Sequence, residues 1–262
     1  MSLGAVLLLN LGVVLALTTA LWALSVAVRD TSIVDVFWGA GFVVIAWVTW
    51  AAAGHGAPRA LLLALLTTVW GVRLTLHLAR RNLGKGEDFR YRAMRARHGE
   101  RWPARSLWAV FWSQGLLMWI VALPVQAGQV DTTAHALTWL GVTAGVAVWL
   151  TGFLFETIGD AQLARFKADP HSSGKVMDRG LWAWTRHPNY FGDCCVWWGL
   201  WLVACASGNV WWTVVGPALM TVLLVRVSGK ALLEKDMARR RPEYAAYVER
   251  TSGFIPRPPR RG

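Results

Sequence analysis

Side chains that can bind nucleotides or move protons are concentrated in one short stretch of this otherwise apolar chain. The stretch runs from Arg186 to Asp193, reads Arg-His-Pro-Asn-Tyr-Phe-Gly-Asp, and directly precedes a Trp-rich hydrophobic run. It combines a guanidinium, an imidazole, an amide, a phenol and a carboxylate, which together supply hydrogen-bond donors, acceptors and acids. Their position beside a hydrophobic run indicates polar chemistry at a membrane boundary.

Other ionisable residues lie inside or at the ends of hydrophobic runs, where an unpaired charge is costly. Arg73 and His77 are one helical turn apart, and so are Glu156 and Asp160, so each pair lies on one helix face. With Asp35 at the start of the second run, they predict one polar cavity. The alternative is that Arg73 pairs with a carboxylate only to neutralise both charges.

The loop after the third hydrophobic run carries glycines between charged residues. Gly84 and Gly86 flank Lys85, and Arg81 and Arg90 lie close by in the sequence. Backbone amides at glycines can approach phosphate oxygens, with the cations supplying charge. A solvated turn has the same pattern, so both interpretations stay open.

The composition is that of an integral membrane protein: 55% of the residues are hydrophobic, the mean hydropathy is +0.38 and there are 18 Trp. Crossing about 30 Å of hydrocarbon takes roughly 20 helical residues. Seven runs approach that length: 3–28, 33–53, 59–79, 106–125, 135–158, 190–206 and 209–226. Only Ser207-Gly208-Asn209 separates the last two, which predicts a tight helical hairpin.

Basic residues predict the orientation of these spans. The segments 80–105, 159–189 and 226–262 hold 24 of the 27 Lys and Arg, and such segments stay cytoplasmic. The sequence therefore predicts an all-α integral membrane bundle of about seven transmembrane helices, with the N-terminus outside and the C-terminus cytoplasmic. Contact with anionic membrane lipids accounts for the net charge of +12, so no nucleic acid is predicted as a partner.

Cofactor sites of several common kinds are not predicted. The three cysteines, Cys194, Cys195 and Cys205, form no Cys-x-x-Cys pair, and the histidines do not cluster, so no zinc or iron–sulfur site is expected. The chain also lacks Gly-x-Gly-x-x-Gly and Walker-type loops. A nucleotide, if bound, is not bound by a Rossmann domain.

In combination, four patterns resemble the bacterial membrane proteins grouped with the steroid 5-alpha-reductases. The patterns are Arg186-His-Pro-Asn-Tyr-Phe-Gly, Gly180-Leu-Trp, Gly84-Lys-Gly-Glu-Asp-Phe-Arg-Tyr91, and the ending from Pro242 to Pro256. The likeness covers most of the chain. It implies a multi-pass protein of the cell inner membrane that binds NADPH from the cytoplasm. The implied reaction reduces a carbon–carbon double bond conjugated to a carbonyl in a lipid-like substrate, such as a steroid, isoprenoid or fatty compound.

The resemblance also implies which residues hold NADPH. Asn189 suits an amide or ribose contact, Asp160 a ribose or adenine contact, and Arg73 a phosphate contact. The full expected set is Arg73, Lys85, Asp88, Arg90, Tyr91, Glu156, Asp160, Lys167, Arg179, Arg186, His187, Asn189 and Asp193. In the single domain 1–262, the spans within 1–79 are expected on the substrate side and 80–262 on the cofactor side.

The implied reduction needs a hydrogen-bond donor or acid, since hydride addition sends negative charge onto the carbonyl oxygen. The steroid reductases use a Tyr–Glu couple on the second and third spans. Here the tyrosine position holds Trp70, which has no useful proton, and Asp35 best matches the carboxylate. The replacement donors are Tyr190, His77 and Tyr91, with Asp35 as the orienting carboxylate and Tyr190 preferred.

Two other functions remain open. The C-terminal part of the chain also resembles S-adenosylmethionine-dependent membrane methyltransferases of the isoprenylcysteine type. This resemblance rests on Arg-His-Pro followed by Tyr, on a helical hairpin, and on Glu234 with a downstream Tyr-x-x-Tyr. A transporter or scaffold could use the same intramembrane charges without catalysis. The loop 84–91 and the segment 156–167 favour the reductase. The sequence leaves the oligomeric state open and is compatible with a monomer.

Overall fold

The computed structural model describes residues 1–54, 58–131, 133, 138–206, 209–227 and 243–259, and in these residues the protein is all-α, without strands. The α-helices are α1 (Leu3–Val28), α2 (Ile33–Ala53), α3 (Pro58–Asn82), α4 (Phe89–His98), α5 (Trp102–Ser106), α6 (Ser113–Val121), α7 (Leu123–Val130), α8 (Thr138–Ala168), α9 (Leu181–Trp184), α10 (Pro188–Cys205), α11 (Val215–Val222) and α12 (Tyr244–Arg250). Short 3₁₀ helices cover Gly99–Arg101, Pro170–Ser172 and Trp211–Val214, and π-helical stretches cover Leu107–Trp112 and Leu223–Val227.

Among the described residues, four helices are long and apolar enough to cross a membrane: α1, α2, α3 and α8. A fifth span results if Phe89–Val121 and α7, which are bent by 46° relative to each other, are counted as one. The predicted runs 3–28 and 33–53 agree with α1 and α2 at both ends. The protein is therefore an all-α membrane protein, whereas the count of seven spans and the orientation of the termini stay predictions. Ser207 and Gly208 of the predicted hairpin lie outside the described residues.

The chain divides into two compact units. The N-terminal unit comprises Met1–Thr138 with Ala204–Gly216, and the C-terminal unit comprises Trp139–Val203 with Pro217–Gly262. Within the N-terminal unit, α2 and α3 touch where Gly39 faces Gly71. A Cβ atom at Gly71 would lie 2.6 Å from the carbonyl oxygen of Gly39, closer than real Cβ atoms come to any atom. Only glycine therefore permits this contact between the two helices.

A buried polar layer joins three helices of the N-terminal unit. The Asn10 Nδ2 atom on α1 donates to Thr49 Oγ1 on α2 at 2.7 Å and to Gln126 Oε1 on α7 at 3.0 Å. All three residues are fully buried. In lipid there is no hydrophobic driving force that makes apolar helices associate. Side-chain hydrogen bonds of this kind therefore help to hold neighbouring helices together.

Helices α8 and α10 of the C-terminal unit meet along a glycine seam with a seven-residue repeat. The seam consists of Gly145, Gly152 and Gly159 on α8 and of Gly192 and Gly199 on α10. A Cβ atom at Gly152 would lie 2.6 Å from the Val196 backbone nitrogen, and one at Gly199 would lie 2.5 Å from that of Trp149. Because seven residues make nearly two helical turns, the glycines stay on one face, and the two backbones come into direct contact.

The loop between α3 and α4 is clamped to the α1–α2 connection. The Glu87 carboxylate accepts hydrogen bonds from the Thr31 backbone N–H at 2.9 Å and from Arg95 Nε and Nη2 at 3.0 and 2.7 Å. The Asp88 backbone N–H donates to Ser32 Oγ at 2.6 Å. Burial raises the pKa of Glu87, but the hydrogen bonds from Arg95 and Thr31 outweigh burial and leave the pKa below its usual range. The clamp fixes the start of α4.

Replacing Gly152 with Ala should force α8 and α10 apart, because the new methyl group would meet backbone atoms that cannot rotate away. We expect a loss of about 2–3 kcal/mol in the free energy of unfolding, as for overpacked cores. Thermal unfolding in detergent measures the change. Gly12→Ala is the matched control, since a Cβ atom there meets nothing within 4 Å. An unchanged melting temperature for Gly152→Ala would contradict the seam.

Replacing Glu87 with Gln should destabilise the protein by about 2 kcal/mol near neutral pH, because hydrogen bonds to a charged group are lost. The folded-state pKa of Glu87 is lowered, so this stability is present above the unfolded pKa and is lost as the pH falls through the folded pKa. The difference in melting temperature between wild type and variant should therefore shrink below roughly pH 4. Exposed Glu100 provides the control, Glu100→Gln. A pH-independent difference would contradict an ionised Glu87.

Candidate functional site

A buried phenol and a carboxylate are paired in the N-terminal unit. Asp35 lies in the first turn of α2 and Tyr91 near the start of α4. The Tyr91 hydroxyl donates to Asp35 Oδ1 at 2.7 Å, and Tyr91 is 5% exposed. Arg90 Nη2 donates to the other oxygen, Oδ2, at 2.7 Å. The carboxylate therefore holds a guanidinium on one oxygen and a phenol on the other.

A directional chain of hydrogen bonds continues from the phenol into α6 and back to α2. Gln114 Nε2 donates to the Tyr91 hydroxyl oxygen at 3.1 Å, and Gln114 Oε1 accepts from Trp38 Nε1 at 2.6 Å. An indole N–H can only donate and a carboxylate can only accept, so the two ends fix the orientation of the amide and of the phenol hydrogen. The Tyr91 oxygen is thereby held in place by partners on two different helices.

Several residues of the loop predicted to bind phosphate have structural roles. Gly84 and Gly86 have φ of 78° and 74°, a left-handed conformation that favours glycine. Asp88 Oδ1 caps α4 by accepting from the Arg90 backbone N–H at 2.9 Å, and it pairs with Arg90 Nε at 2.8 Å. Burial raises the pKa of Asp88, but these bonds outweigh it and lower the pKa. Lys85 is exposed. The phosphate role of this loop stays a prediction.

The C-terminal unit brings together Asn189 and Asp160, two residues of the expected NADPH site. Asn189 Nδ2 donates to Asp160 Oδ1 at 3.0 Å, and Asp160 is 7% exposed. The glycine seam favours this contact, because a Cβ atom at Gly159 would lie 3.2 Å from Pro188 Cγ and 3.3 Å from the Asn189 backbone nitrogen, closer than most side-chain contacts. Glu156, one turn earlier on α8, is 3% exposed. An amide and two carboxylates are thus held close to the start of α10.

The turn before α10 is fastened to the C-terminal segment. The Arg186 backbone N–H donates to the Ser252 carbonyl oxygen at 2.9 Å, and its guanidinium donates to the Val248 carbonyl oxygen at 3.1 Å. The Tyr247 hydroxyl donates to the Trp182 carbonyl oxygen at 2.6 Å. Arg186, predicted to hold a phosphate, therefore binds the last turn of α12. Its role at a cofactor stays a prediction.

The preferred donor Tyr190 packs against His187 in the C-terminal unit. The rings of His187 and Tyr190 stack with centroids 5.5 Å apart and an interplanar angle of 2°. His187 is buried. The phenol that donates to Asp35 is that of Tyr91, so the geometry favours Tyr91 among the three candidates.

A cavity of about 580 Å³ lies in the C-terminal unit beside the last turns of α8. Its charged lining comprises Arg165, Lys175, Arg179, Asp169, Asp178 and Glu243. Of these, only Arg179 was predicted as a cofactor ligand. Lys167 is exposed near the end of α8 and Asp193 lies in the second turn of α10. Glu234, assigned under the methyltransferase hypothesis, lies outside the described residues.

The predicted cavity of five ionisable residues draws on both units. Asp35 and the half-buried Arg73 and His77 belong to the N-terminal unit, whereas Glu156 and Asp160 belong to the C-terminal unit. Their convergence therefore stays a prediction. Sequence reasoning missed Gln114, although a lone amide in the apolar run 106–125 was a usable signal. It also missed the seven-residue spacing of the glycines on α8 and α10.

Comparisons with known proteins give a family and one distant relative. A model of a family of proteins of unknown function, DUF1295, matches residues 21–251. An uncharacterized protein of Schizosaccharomyces pombe is 26% identical over 282 residues, which cover 92% of this chain and 77% of the relative. No solved structure matches the chain. Since the family model spans most of its length, the chain belongs to the DUF1295 family.

Proposed function

We propose that the protein is an NADPH-dependent membrane reductase that acts on a carbon–carbon double bond conjugated to a carbonyl in a lipid-like substrate. The buried Tyr91–Asp35 pair is the observation that carries this proposal. It supplies the Tyr–carboxylate couple that the steroid reductases need, although the position matching their tyrosine holds Trp70. Trp70 is fully buried and packs on Phe42 at a centroid distance of 5.6 Å.

The chemistry gives the pair a defined task. Hydride addition to the β-carbon drives negative charge onto the carbonyl oxygen, and a donor in a site away from water stabilises that oxygen. The Tyr91 hydroxyl has one hydrogen, which can turn from Asp35 to the carbonyl oxygen as charge develops there. Asp35 and Gln114 keep the phenol oxygen in position during this change. Arg90 keeps Asp35 paired when the phenol hydrogen leaves it.

The C-terminal unit offers groups that suit a dinucleotide. NADPH would supply the hydride. The paired amide and carboxylate of Asn189 and Asp160 match the hydrogen-bonding needs of ribose hydroxyls or a carboxamide. Arg165 and Arg179 on the wall of the cavity would suit phosphates. With the concentration of basic residues in predicted cytoplasmic segments, these groups support a cofactor site that faces the cytoplasm of the inner membrane.

Cofactor choice is tested by thermal unfolding of the detergent-purified protein with NADPH, NADH or S-adenosylmethionine. We expect stabilisation by NADPH of about 2.7 kcal/mol at roughly 100 times its dissociation constant. NADH should stabilise less because it lacks the 2′-phosphate, and S-adenosylmethionine should have no effect. Stabilisation by S-adenosylmethionine alone would support the methyltransferase instead. No response to any of the three would favour a transporter or scaffold.

The same measurement on Asn189→Ala tests the binding residue. We expect the variant to lose the NADPH-dependent rise in melting temperature, because the amide that pairs with Asp160 is gone. Asn209→Ala, at an exposed position of the N-terminal unit, should keep the full response. Equal responses in both variants would show that the nucleotide binds elsewhere.

Tyr91→Phe tests the proton donor, because it keeps the ring and removes only the hydroxyl. With a panel of steroid, isoprenoid and fatty enones, the rate of NADPH oxidation should fall by about 10²-fold or more. NADPH-dependent stabilisation should persist. Tyr190→Phe is the matched variant and should retain most of the activity. The reverse pattern, with Tyr190→Phe inactive and Tyr91→Phe active, would assign the donor role to Tyr190.

A further inference from the structure

A stripe of arginine and tryptophan residues runs along one face of the helical stretch Phe89–Val121. We call it the Arg–Trp stripe; its members are Arg97, Arg101, Arg105, Trp108 and Trp112, and all five are exposed. From Arg101 to Trp112 successive members are three or four residues apart, so these four lie one above another on the same side. Arg97 lies in the last turn of α4, before Gly99 ends that helix. The stripe changes from cationic to aromatic at the point where the apolar sequence begins.

The two indoles of the stripe are ordered and accessible. Trp108 is 55% exposed and Trp112 is 41% exposed. The guanidinium carbon of Arg105 lies 5.3 Å from the Trp108 ring, and Trp112 Nε1 donates to Thr19 Oγ1 at 3.0 Å. The π-helical stretch Leu107–Trp112 carries both rings. Such local widening of a helix is frequent at functional positions.

The carbonyl of Pro103 fixes the cationic half of the stripe to α1. Trp22 Nε1 on α1 donates to that carbonyl oxygen at 2.7 Å. Arg101 and Arg105 flank this anchor, and both remain exposed. Glu100 is the one carboxylate between Arg97 and Trp112, so three guanidinium groups outnumber it in the stripe. The stripe is therefore a surface of net positive charge.

The order of the side chains matches the layers of a membrane surface. Arginine suits phosphate headgroups, and tryptophan prefers the boundary between headgroups and hydrocarbon. We propose that the Arg–Trp stripe binds an anionic phospholipid. Its phosphate contacts Arg101 and Arg105, and its glycerol and first acyl carbons lie along Trp108 and Trp112. A soluble phosphate would use the arginines but would leave both indoles uncovered.

This inference is independent of the reductase proposal. It concerns a lipid that stays bound as part of the protein's surface and not a substrate that turns over. The stripe includes none of the residues assigned to the donor or to the cofactor. A variant that loses lipid binding can therefore still be used in the cofactor experiments. A negative result in those experiments would not count against lipid binding at the Arg–Trp stripe.

The test is native mass spectrometry of the full chain, released from nanodiscs of phosphatidylglycerol and phosphatidylcholine in equal amounts. We expect retained phosphatidylglycerol in preference to phosphatidylcholine, and about twenty-five-fold weaker retention in the double variant Arg101→Gln, Arg105→Gln. That factor follows from roughly fivefold for each cation near an anionic surface. The double variant Arg80→Gln, Arg81→Gln removes the same charge from exposed positions at the end of α3 and should retain the lipid.

Two further arms decide between a lipid and a soluble anion. Trp108→Ala should weaken phosphatidylglycerol retention while leaving both arginines in place. Inorganic phosphate and pyrophosphate should not compete with the lipid at millimolar concentrations. Equal retention of the two lipids, equal losses in the two double variants, or unchanged retention in Trp108→Ala would each overturn the proposal. Full displacement by pyrophosphate would assign the stripe to a soluble polyanion.

Discussion

Direct contact between helix backbones at glycine is the constraint on which the helix packing in both units of this protein depends. Lipid gives no hydrophobic reason for two apolar helices to associate, so close packing and hydrogen bonds must hold them. Gly39 and Gly71 let α2 and α3 touch, one turn after Asp35. The glycine seam does the same for α8 and α10, where it brings Asn189 to Asp160. Larger side chains in the seam would move Asn189 and Asp160 apart.

The hydrogen-bond chain at the candidate donor site has a donor at one end and an acceptor at the other. Trp38 can only donate and Asp35 can only accept, so the amide of Gln114 and the phenol of Tyr91 have one arrangement that satisfies both ends. In a low-dielectric setting such a chain is rigid, because a flipped amide would leave a donor facing a donor. The protein's own residues therefore fix the orientation of these groups.

The sequence predicts apolar segments better than it predicts contacts. The bounds of α1 and α2 follow from hydropathy, and Asp35 follows from its place at the start of a span. The partner of Asp35 cannot be predicted in the same way. Tyr91 is 56 residues away, and spacing along the chain does not tell which distant residues come into contact. Arg186 shows a second limit: residue type suggests a phosphate ligand, but it does not indicate that Nη1 donates to the Val248 carbonyl oxygen.

The contacts of Phe254 and Arg257 carry a consequence for the order in which the C-terminal unit folds. The Arg257 backbone N–H donates to the Trp184 carbonyl oxygen, and Thr185 Oγ1 donates to that of Phe254. Phe254 follows Thr185 by 69 residues. During synthesis α8 and α10 therefore emerge from the ribosome before the residues that support the turn between Trp184 and Arg186. The entrance to α10 is completed later than the two helices on either side of it.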